Sequence, residues 1–333
     1  MFLASPANIS YLVGFKSRDS YLLVSKKKNI YFTDFRYIEE ARLRLKGNAA
    51  LARIDGPVSD LLAKACFGMR AKRVGFEENA LTFAQYSKIR KALGGKAKLV
   101  SADGIVEGLR RVKDKQELKN IRKAIRITQK ALKFIKGFIK PGRTELEIAA
   151  ELERFIRRQG ATGAAFDIIV ASGPNSSYPH HVSGSRKIRK NEPVLVDIGV
   201  EYNGYNSDLT RVFFLGKIKV LAQKICAIVL ESQKRAIYRI KAGVRASEVD
   251  AASRKCIADA GFGKFFGHSL GHGVGLEVHE KPRLSSKDNS VLMPGEVFTV
   301  EPAIYLPGRF GIRIEDMVLV TKKGCGVISG AIN

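Results

Sequence analysis

The sequence predicts an α+β protein of two domains, in which a small mixed α/β domain precedes a larger domain built from an internal duplication. Three observations predict this organisation. Short β-type segments alternate with helical patterns through residues 1–105, a helix start signal lies at residue 114, and the segment 142–160 recurs at 243–261. A chain of 333 residues with 45% hydrophobic residues is long enough to form two domains with separate cores.

The first domain, expected at residues 1–110, is predicted from its short strands. Tyr21–Val24 and Ile30–Thr33 are β-type segments joined by a lysine-rich turn, and further strands are expected at Val74–Phe76 and Lys98–Val100. Helical patterns lie between these strands. Because no candidate catalytic residues are paired here, we expect a structural or substrate-gating role for this domain.

The second domain, expected at residues 111–333, begins with a helix start signal. Asp114 followed by Glu117 has the spacing of a capping box. GRTELEIAAELERFIRRQG at 142–160 then resembles GVRASEVDAASRKCIADAG at 243–261, since each has an initial glycine, a Thr or Ser cap, an acidic residue three positions later and a closing glycine. β-type segments follow each copy: Pro193–Glu201 and Asp208–Leu215 after the first, and Glu296–Glu301 and Ile312–Val320 after the second. We therefore infer a duplication that gives this domain pseudo-two-fold symmetry.

Two aspartates lie within a predicted hairpin of the first copy, PVLVDIGVEYNGYNSDLTRVFF. Asn203-Gly204 is a strong signal for a two-residue hairpin loop. If these residues form the loop, position 199 pairs with 208, and Asp197 and Asp208 become diagonal neighbours on one face. A buried carboxylate is costly unless it is paired or metal-bound, so this hairpin indicates a site for cations.

The second copy repeats this feature in VFTVEPAIYLPGRFGIRIEDMVLV. Glu301 precedes a predicted turn at Pro307–Gly311 and Glu315 follows it, so the two glutamates are expected to lie opposite or nearly opposite one another. Asp316 is on the other face of its strand and is the weaker candidate ligand. Four carboxylates with one imidazole favour Mn²⁺, Co²⁺ or Fe²⁺, and zinc also tolerates such a site.

Three of the five histidines lie in KFFGHSLGHGVGLEVHE at 264–280, and the other two, His180 and His181, are adjacent. His268 and His272 have the spacing of a helical metal site. The four glycines of this segment disfavour a helix and suit a loop or strand that packs close to a ligand. From this segment alone, a metal site and a glycine-rich turn with incidental histidines are equally consistent with the residues.

The ordered set of carboxylates and histidines resembles the dinuclear site of the pita-bread metallopeptidases. VDIG, NSDLTR, GHGVGLEVHE, VEPAIY and RIED are similar to motifs of the Xaa-Pro subgroup, aminopeptidase P and prolidase, and NISYLVGF with YFTDFRYIEEAR resembles the N-terminal domain of that subgroup. The resemblance implies a creatinase/prolidase-like domain at 1–110 and a pita-bread (creatinase/aminopeptidase) catalytic domain at 111–333. It also implies two divalent metal ions, Mn²⁺ foremost, with Co²⁺, Fe²⁺ or Zn²⁺ as alternatives, and a homodimer.

The resemblance further implies a role for each metal ligand. Asp197 would chelate one ion, and His272 with Glu301 would chelate the other. Asp208 and Glu315 would bridge the two ions.

Other residues are implied to act on the substrate. Glu301 would carry the proton. His180, in a Pro-His-x-Val context, matches the family histidine better than His181 does. His268 and His279 would contact substrate or stabilise the intermediate. The expected substrate-binding residues are His180, His279, Tyr305 and Arg313.

The implied activity is hydrolysis of the bond between an N-terminal residue and a following proline, as by an Xaa-Pro aminopeptidase, with an Xaa-Pro dipeptidase (prolidase) as the alternative. A remote alternative is an inactive pita-bread protein that binds RNA, suggested by the net charge of +26. Because Lys and Arg are spread along the whole chain, we expect no nucleic-acid partner. We expect neither a membrane span nor a secretion signal, and the scattered cysteines favour free thiols in the cytoplasm.

Overall fold

The computed structural model describes residues 1–330, which form two compact units, Met1–Arg110 and the residues from Arg111 onward. The helices of the first unit are α1 (Pro6–Val13), α2 (Ile38–Leu45), α3 (Val58–Gly68), α4 (Phe83–Leu93) and α5 (Ile105–Arg111). Its strands are β1 (Phe2–Leu3), β2 (Ser20–Leu23), β3 (Ile30–Thr33), β4 (Ala50–Arg53), β5 (Arg73–Phe76) and β6 (Lys98–Ser101). The four strands predicted here are therefore confirmed to within one residue.

The first unit is one mixed sheet that is covered on both faces. The strand order is β4-β3-β2-β1-β5-β6. Neighbouring residues of one strand enter different cores, since Phe2 and Phe32 belong to one apolar cluster while Leu3 and Tyr31 belong to another. Side chains alternate between the faces of a sheet, so both faces are buried beneath helices.

The second unit has four long helices among its described residues: α6 (Lys115–Phe138), α7 (Glu145–Arg158), α8 (Val220–Arg239) and α9 (Ala246–Asp259). Its strands are β7 (Gly163–Ala164), β8 (Ile169–Ser172), β9 (Pro193–Ile198), β10 (Val200–Tyr202), β11 (Tyr205–Asn206), β12 (Leu209–Phe214), β13 (Gly271–Gly273), β14 (Glu280–Leu284), β15 (Val297–Val300), β16 (Ala303–Leu306), β17 (Phe310–Arg313), β18 (Asp316–Val320) and β19 (Cys325–Val327).

The second helix of each pair in this unit repeats to the residue. α7 follows Thr144 and α9 follows Arg245, which are equivalent positions in the two copies, and each helix spans 14 residues. One apolar core packs beneath α6 and α7, and a second packs beneath α8 and α9. The predicted serine cap of the second copy is wrong, because Ser247 lies inside the first turn of α9, where its hydroxyl bonds to Asn289.

The first carboxylate hairpin has the predicted register. Asn203 and Gly204 form its loop, and both have positive φ, as the favoured two-residue hairpin turns require. Leu209 pairs with Ile198, so position 199 falls opposite 208, as predicted. The ladder is interrupted at Gly199, which divides the hairpin between the sheet β12-β9-β8 and the sheet β11-β10-β7.

The second hairpin is more broken than the sequence suggests. Leu306 pairs with Phe310, so the turn is shorter than the predicted Pro307–Gly311. The single strand expected over Ile312–Val320 is two strands, β17 and β18, because the chain passes from the sheet β16-β17 into the sheet β14-β13-β15-β18-β19. Glu315 lies at this crossing, where its backbone N–H donates to Thr210 O at 3.2 Å.

Within residues 1–330, no helix combines the length and the apolar character needed to cross a membrane. The four cysteines are free thiols: Cys66 and Cys256 are buried, and Cys226 and Cys325 are half-buried.

Candidate metal centre

The second unit contains a cavity of about 840 Å³. Every predicted site residue except Tyr305 lines it, and the Tyr305 hydroxyl accepts a hydrogen bond from Arg313, which is part of the lining. Apolar side chains form another part of the wall, namely Leu146, Phe166, Ile168 and Val182. The cavity therefore combines a polar wall and an apolar wall within one unit.

Four of the five predicted ligands converge on this polar wall. Donor atoms of Asp208, His272 and Glu315 lie within 4.8 Å of one another. His272 Nε2 is 3.7 Å from Asp208 Oδ2 and 3.4 Å from Glu301 Oε1. Asp208 directly precedes β12, His272 is in β13, Glu301 follows β15, and Glu315 lies between β17 and β18. Residues in or next to four separate strands thus supply one cluster.

The His272 ring is fixed with one nitrogen toward this cluster. Its backbone N–H donates to Thr299 Oγ1 at 3.1 Å, and its Nδ1 lies 3.1 Å from Gly273 O. Because a carbonyl oxygen only accepts, Nδ1 carries the hydrogen and Nε2 presents a lone pair to the carboxylates. Burial lowers the pKa of His272 to about 4, which keeps the imidazole neutral, as a metal ligand must be.

The glycines around His272 explain how its strand, β13, packs so closely against β15. A Cβ atom on Gly271 would lie 2.1 Å from Thr299 O, so β13 approaches β15 as only glycine permits. Lys264 and Phe265 end a short 3-10 helix, and residues 266–280, which include His268 and His272, form strands and irregular backbone rather than a helix, as the glycines predict. Close packing of β13 on β15 is what brings His272 beside Glu301.

The clustered carboxyl groups are unfavourable as anions without a cation. Burial raises the pKa of Glu301 to about 8 and raises those of Asp208 and Glu315 well above their ordinary values. Neighbouring carboxylates raise the pKa of Asp208 and Glu315 further. Divalent cations remove this penalty, and carboxylate oxygens with one neutral imidazole are a suitable donor set for them. The residues present therefore fit a metal centre.

Asp197 differs from the other four. Its Oδ2 accepts a hydrogen bond from Arg313 Nη2 at 2.7 Å. Its Oδ1 is buried and, within the described part of the chain, has no hydrogen-bond partner. A buried polar atom of this kind needs a partner, so Asp197 retains one oxygen for a cation while the other is held by Arg313.

Arg313 continues into a chain of hydrogen bonds that ends at His268. Arg313 Nη1 donates to the Tyr305 hydroxyl at 2.6 Å, and that hydroxyl lies 3.2 Å from His268 Nε2. His268 Nδ1 is 2.8 Å from Ser269 O and so carries the hydrogen. Burial lowers the pKa of His268 to about 4, so Nε2 accepts from Tyr305. Burial also raises the pKa of Tyr305 to about 12, which keeps its proton in place.

The remaining histidines occupy different environments. His180 is exposed and lines the cavity, whereas His181 Nε2 lies 2.7 Å from the buried carboxylate of Glu145. His279 is exposed, and its ring centroid is 4.3 Å from that of His272. Of the two adjacent histidines, His180 is therefore the one whose ring is not engaged by a carboxylate.

Sequence reasoning missed two threonines that hold the carboxylates. Thr210 Oγ1 donates to Glu315 Oε2 at 2.7 Å, and Thr299 Oγ1 donates to Glu301 Oε1 at 3.1 Å. Thr210 is two residues from Asp208, and Thr299 is two residues from Glu301. Because side chains two apart on a strand share a face, the alternation of the strands was the signal that could have identified them.

Comparison with known proteins agrees with this arrangement. The description of metallopeptidase family M24 matches residues 119–322, and that of the creatinase/prolidase N-terminal domain matches residues 1–112. An Xaa-Pro dipeptidase of Pyrococcus furiosus is 36% identical over 97% of this chain and 91% of its own length.

Two solved structures are similar along nearly the whole chain. The Xaa-Pro dipeptidase from Bacillus anthracis has a TM-score of 0.95 and 40% identity, covering 99% of this chain and 92% of its own. The X-Pro aminopeptidase from Thermotoga maritima has a TM-score of 0.91 and 36% identity, covering 99% of this chain and 95% of its own. These likenesses establish the fold class that the sequence predicts, a pita-bread domain preceded by a mixed α/β domain.

Proposed function

The chain belongs to metallopeptidase family M24, and on this premise we propose that it hydrolyses the peptide bond between an N-terminal residue and a following proline. The observation that carries the proposal is the convergence of Asp208, His272, Glu301 and Glu315 on one wall of a cavity large enough for a short peptide. The printed names of the similar proteins, Xaa-Pro dipeptidase and X-Pro aminopeptidase, support the same substrate class.

Two divalent cations would be held by the five predicted ligands, Asp197, Asp208, His272, Glu301 and Glu315. When bound, such cations polarise a carbonyl group and lower the pKa of water. We propose Mn²⁺ as the metal, because four carboxylates with one imidazole suit a hard cation. The raised pKa values of three of these carboxyl groups mean that metal binding is coupled to the release of protons.

Glu301 is the residue that we propose moves the proton. Before metal binding its pKa is about 8, and its Oε1 is oriented by the Thr299 hydroxyl. A carboxylate in this position can take a proton from the attacking water and deliver it to the proline nitrogen. That delivery is needed because the nitrogen of an Xaa-Pro bond has no hydrogen of its own and leaves as an amine.

We propose that His180 and His279, both exposed on the cavity wall, contact the substrate and that His279 stabilises the developing oxyanion. A similar role for His268 stays a prediction, since its Nε2 accepts from Tyr305 in this arrangement. Arg313 and Tyr305 would act by holding Asp197 and His268 in place rather than by touching the reacting atoms.

The first candidate activity is that of an Xaa-Pro aminopeptidase, which accepts longer peptides. The dipeptidase is the second candidate, and the names of the Pyrococcus and Bacillus relatives favour it. Chelator-stripped protein should be assayed on Ala-Pro and Ala-Pro-Ala with and without Mn²⁺. Metal-dependent cleavage of the tripeptide is the expected result, and cleavage of the dipeptide alone would assign the second candidate. If neither peptide is cleaved while metal is bound, the proposed substrate class is wrong.

Two further proposals concern the state of the protein. The family resemblance supports a homodimer, which light scattering at several protein concentrations would detect. Four free thiols with no disulfide among the described residues suit a reducing compartment, so we propose a cytoplasmic location. Fractionation of the source cells tests this second proposal.

A further inference from the structure

A buried ion pair lies outside the cavity lining and has no part in the chemistry described above. Lys113 Nζ is 3.0 Å from Glu280 Oε2, and the two side chains are only 1% and 6% exposed. Burying both charges costs several kcal/mol per ion before their attraction is counted. Such a pair contributes little net stability, so its role is better sought in the segments that it holds in place.

Glu280 holds the turn that carries His279. The other oxygen of its carboxylate, Oε1, accepts the backbone N–H of Glu277 at 3.1 Å. A Cβ atom on Gly275 would lie 2.7 and 2.8 Å from the two carboxylate oxygens, so the carboxylate rests against the backbone of the turn. Residues 274–279 join β13 to β14, and the Glu280 side chain therefore folds back across its own connection.

The same turn is held from another side by the first carboxylate hairpin. Asn206 Nδ2 donates to Gly275 O and to Leu276 O, both at 3.1 Å, and the Asn206 backbone N–H donates to Gly275 O at 2.8 Å. Asn206 is two residues from the predicted ligand Asp208. The turn is thus tied to the metal centre by Asn206 and to Lys113 by Glu280.

Lys113 is itself fixed to the sheet. Its backbone N–H donates to Gly295 O at 2.9 Å, and the neighbouring residue Val112 pairs with Glu296. Because both of these contacts are to the segment that enters β15, Lys113 is a rigid anchor. β15 leads directly to Glu301, so the segment that holds Lys113 continues into the strand that the predicted proton carrier follows.

We propose that Glu280 and Lys113 are positioning residues for His279: their ion pair fixes the turn 274–279 so that the His279 ring faces the reaction centre. This inference rests on the proposed function of His279. The contact between the rings of His279 and His272, with centroids 4.3 Å apart, is the arrangement that the ion pair maintains. Neither residue of the pair lines the cavity.

A double-mutant cycle tests the proposal. E280Q should lower kcat/KM about 10- to 100-fold, since a misplacement of about 1 Å has an effect of this size. In the H279A background the same substitution should cost less than about twofold, because Glu280 acts through the missing ring. K113M should show the same dependence on His279, and K113R should recover most of the activity. Losses that multiply in full in the double variants would overturn the proposal.

A second measurement needs no activity. In metal-free protein, E280Q should speed amide hydrogen exchange at residues 275–279 and leave exchange at residues 172–184 unchanged. E78Q, which makes the same charge change at an exposed position outside the turn, is the control and should have little effect. Unchanged exchange in E280Q would refute the positioning role. Faster exchange in a protein that cleaves no Xaa-Pro peptide would instead refute the proposed substrate class.

Discussion

The two copies within the second unit repeat the same order of helices and hairpins but differ in the chemistry of their side chains. Thr144 pairs with Lys187 before α7, and Arg245 pairs with Val291 before α9, so even the isolated bridges recur. Asp197 lies near the end of β9, the first strand of its hairpin, and Glu301 directly follows the corresponding strand β15. Asp208 directly precedes β12, as Glu315 directly precedes β18. The duplication therefore explains why four carboxylates meet in one place.

The partners of the equivalent carboxylates differ. Asp197 is neutralised on one oxygen by Arg313, which comes from the other copy. Glu301 accepts a hydrogen bond from the neutral hydroxyl of Thr299 and lies beside His272. Burial raises the pKa of Glu301 to about 8. One position thus forms an ion pair with Arg313, and its counterpart is the acid that we propose as the proton carrier. A repeated backbone sets where acids lie, whereas local partners set what each acid does.

Each copy also fixes a histidine-bearing loop with a buried acid, but from different helix positions. In the first copy, Glu145 at the start of α7 binds His181 beside His180. In the second, Asp250 of α9 accepts the N–H of Leu270, and its ion-pair partner Arg254 donates to His268 O. Buried acids at non-equivalent positions, Glu145 and Asp250, therefore fix the two histidine-bearing loops. Aligning the two repeats as sequences does not reveal this shared role.

The largest expected effect tests whether Asp208 and Glu315 are equivalent. D208N and E315Q should each lose bound metal and lower activity at least about 10³-fold, because the cations supply several kcal/mol of transition-state stabilisation. Metal content by mass spectrometry and peptide cleavage measure the two losses. E78Q, an acid-to-amide change at an exposed position of the first unit, is a suitable control. If either variant kept two metal ions and full activity, Asp208 and Glu315 would not be equivalent metal ligands.

The next comparison separates Glu301 from Asp197. At saturating Mn²⁺, E301Q should lower kcat by about 10²- to 10⁴-fold, the usual contribution of a proton-transferring group. D197N should act mainly by weakening metal binding, so that excess Mn²⁺ restores much of its kcat. Metal titrations followed by steady-state kinetics distinguish the two patterns. Equal and irreversible losses of kcat would mean that the different partners of the two acids have no catalytic consequence.

After metal removal, the buried carboxyl groups should make the free energy of unfolding depend on pH. The folded-state pKa of Glu301 is raised to about 8 from 4.5, so the metal-free fold binds this proton more tightly than the unfolded chain does. The stability that this proton confers is complete below pH 4.5 and is lost as pH rises through 8. At pH values between the ordinary histidine pKa of about 6.5 and 8, the slope should approach about −1.4 kcal/mol per pH unit for each such carboxyl group.

Urea unfolding of metal-free and Mn²⁺-loaded protein across this pH range measures the effect. The loaded protein should gain stability relative to the metal-free form as pH rises, since the ligands must be deprotonated to bind. Metal-free E301Q should have a shallower slope than the parent. A metal-free protein whose stability is independent of pH in this range would contradict the raised pKa of Glu301.

Local sequence patterns predict much of the arrangement of the hairpins and of the His272 strand. Asn203-Gly204 specifies a two-residue loop, and this loop fixes the register that brings Asp197 and Asp208 to one face. The glycines around His272 predict close backbone packing, which Gly271 against Thr299 provides. These features were predictable because turn chemistry and strand alternation act over a few residues.

The contacts between distant segments were not predictable in the same way. The ion pair of Arg313 with Asp197 and the break of the strand at Glu315 depend on how separate sheets meet. Lys113 and Glu280 are 167 residues apart, and neither has a local pattern that predicts a buried pair. Side-chain partners of this kind follow from the three-dimensional packing of both copies, which one sequence does not encode in any short segment.

The smallest expected effect concerns the helix starts at which the two copies diverge. Thr144 and Glu147 form a complete capping box before α7, whereas Arg245 gives α9 no side-chain cap although Glu248 occupies the position of Glu147. T144A should lower the free energy of unfolding by about 1 kcal/mol, because the N–H of Glu147 loses its acceptor. R245T should raise it by about 0.5 kcal/mol by supplying that acceptor in the second copy.

Urea titrations of the metal-loaded protein measure both changes, and R245A separates the new cap from the loss of the arginine side chain. If R245T were no more stable than R245A, the second copy would lack the backbone geometry for a threonine cap. Thr144 and Arg245 would then be equivalent in sequence position and in backbone pairing, but the two helix starts would differ in local conformation.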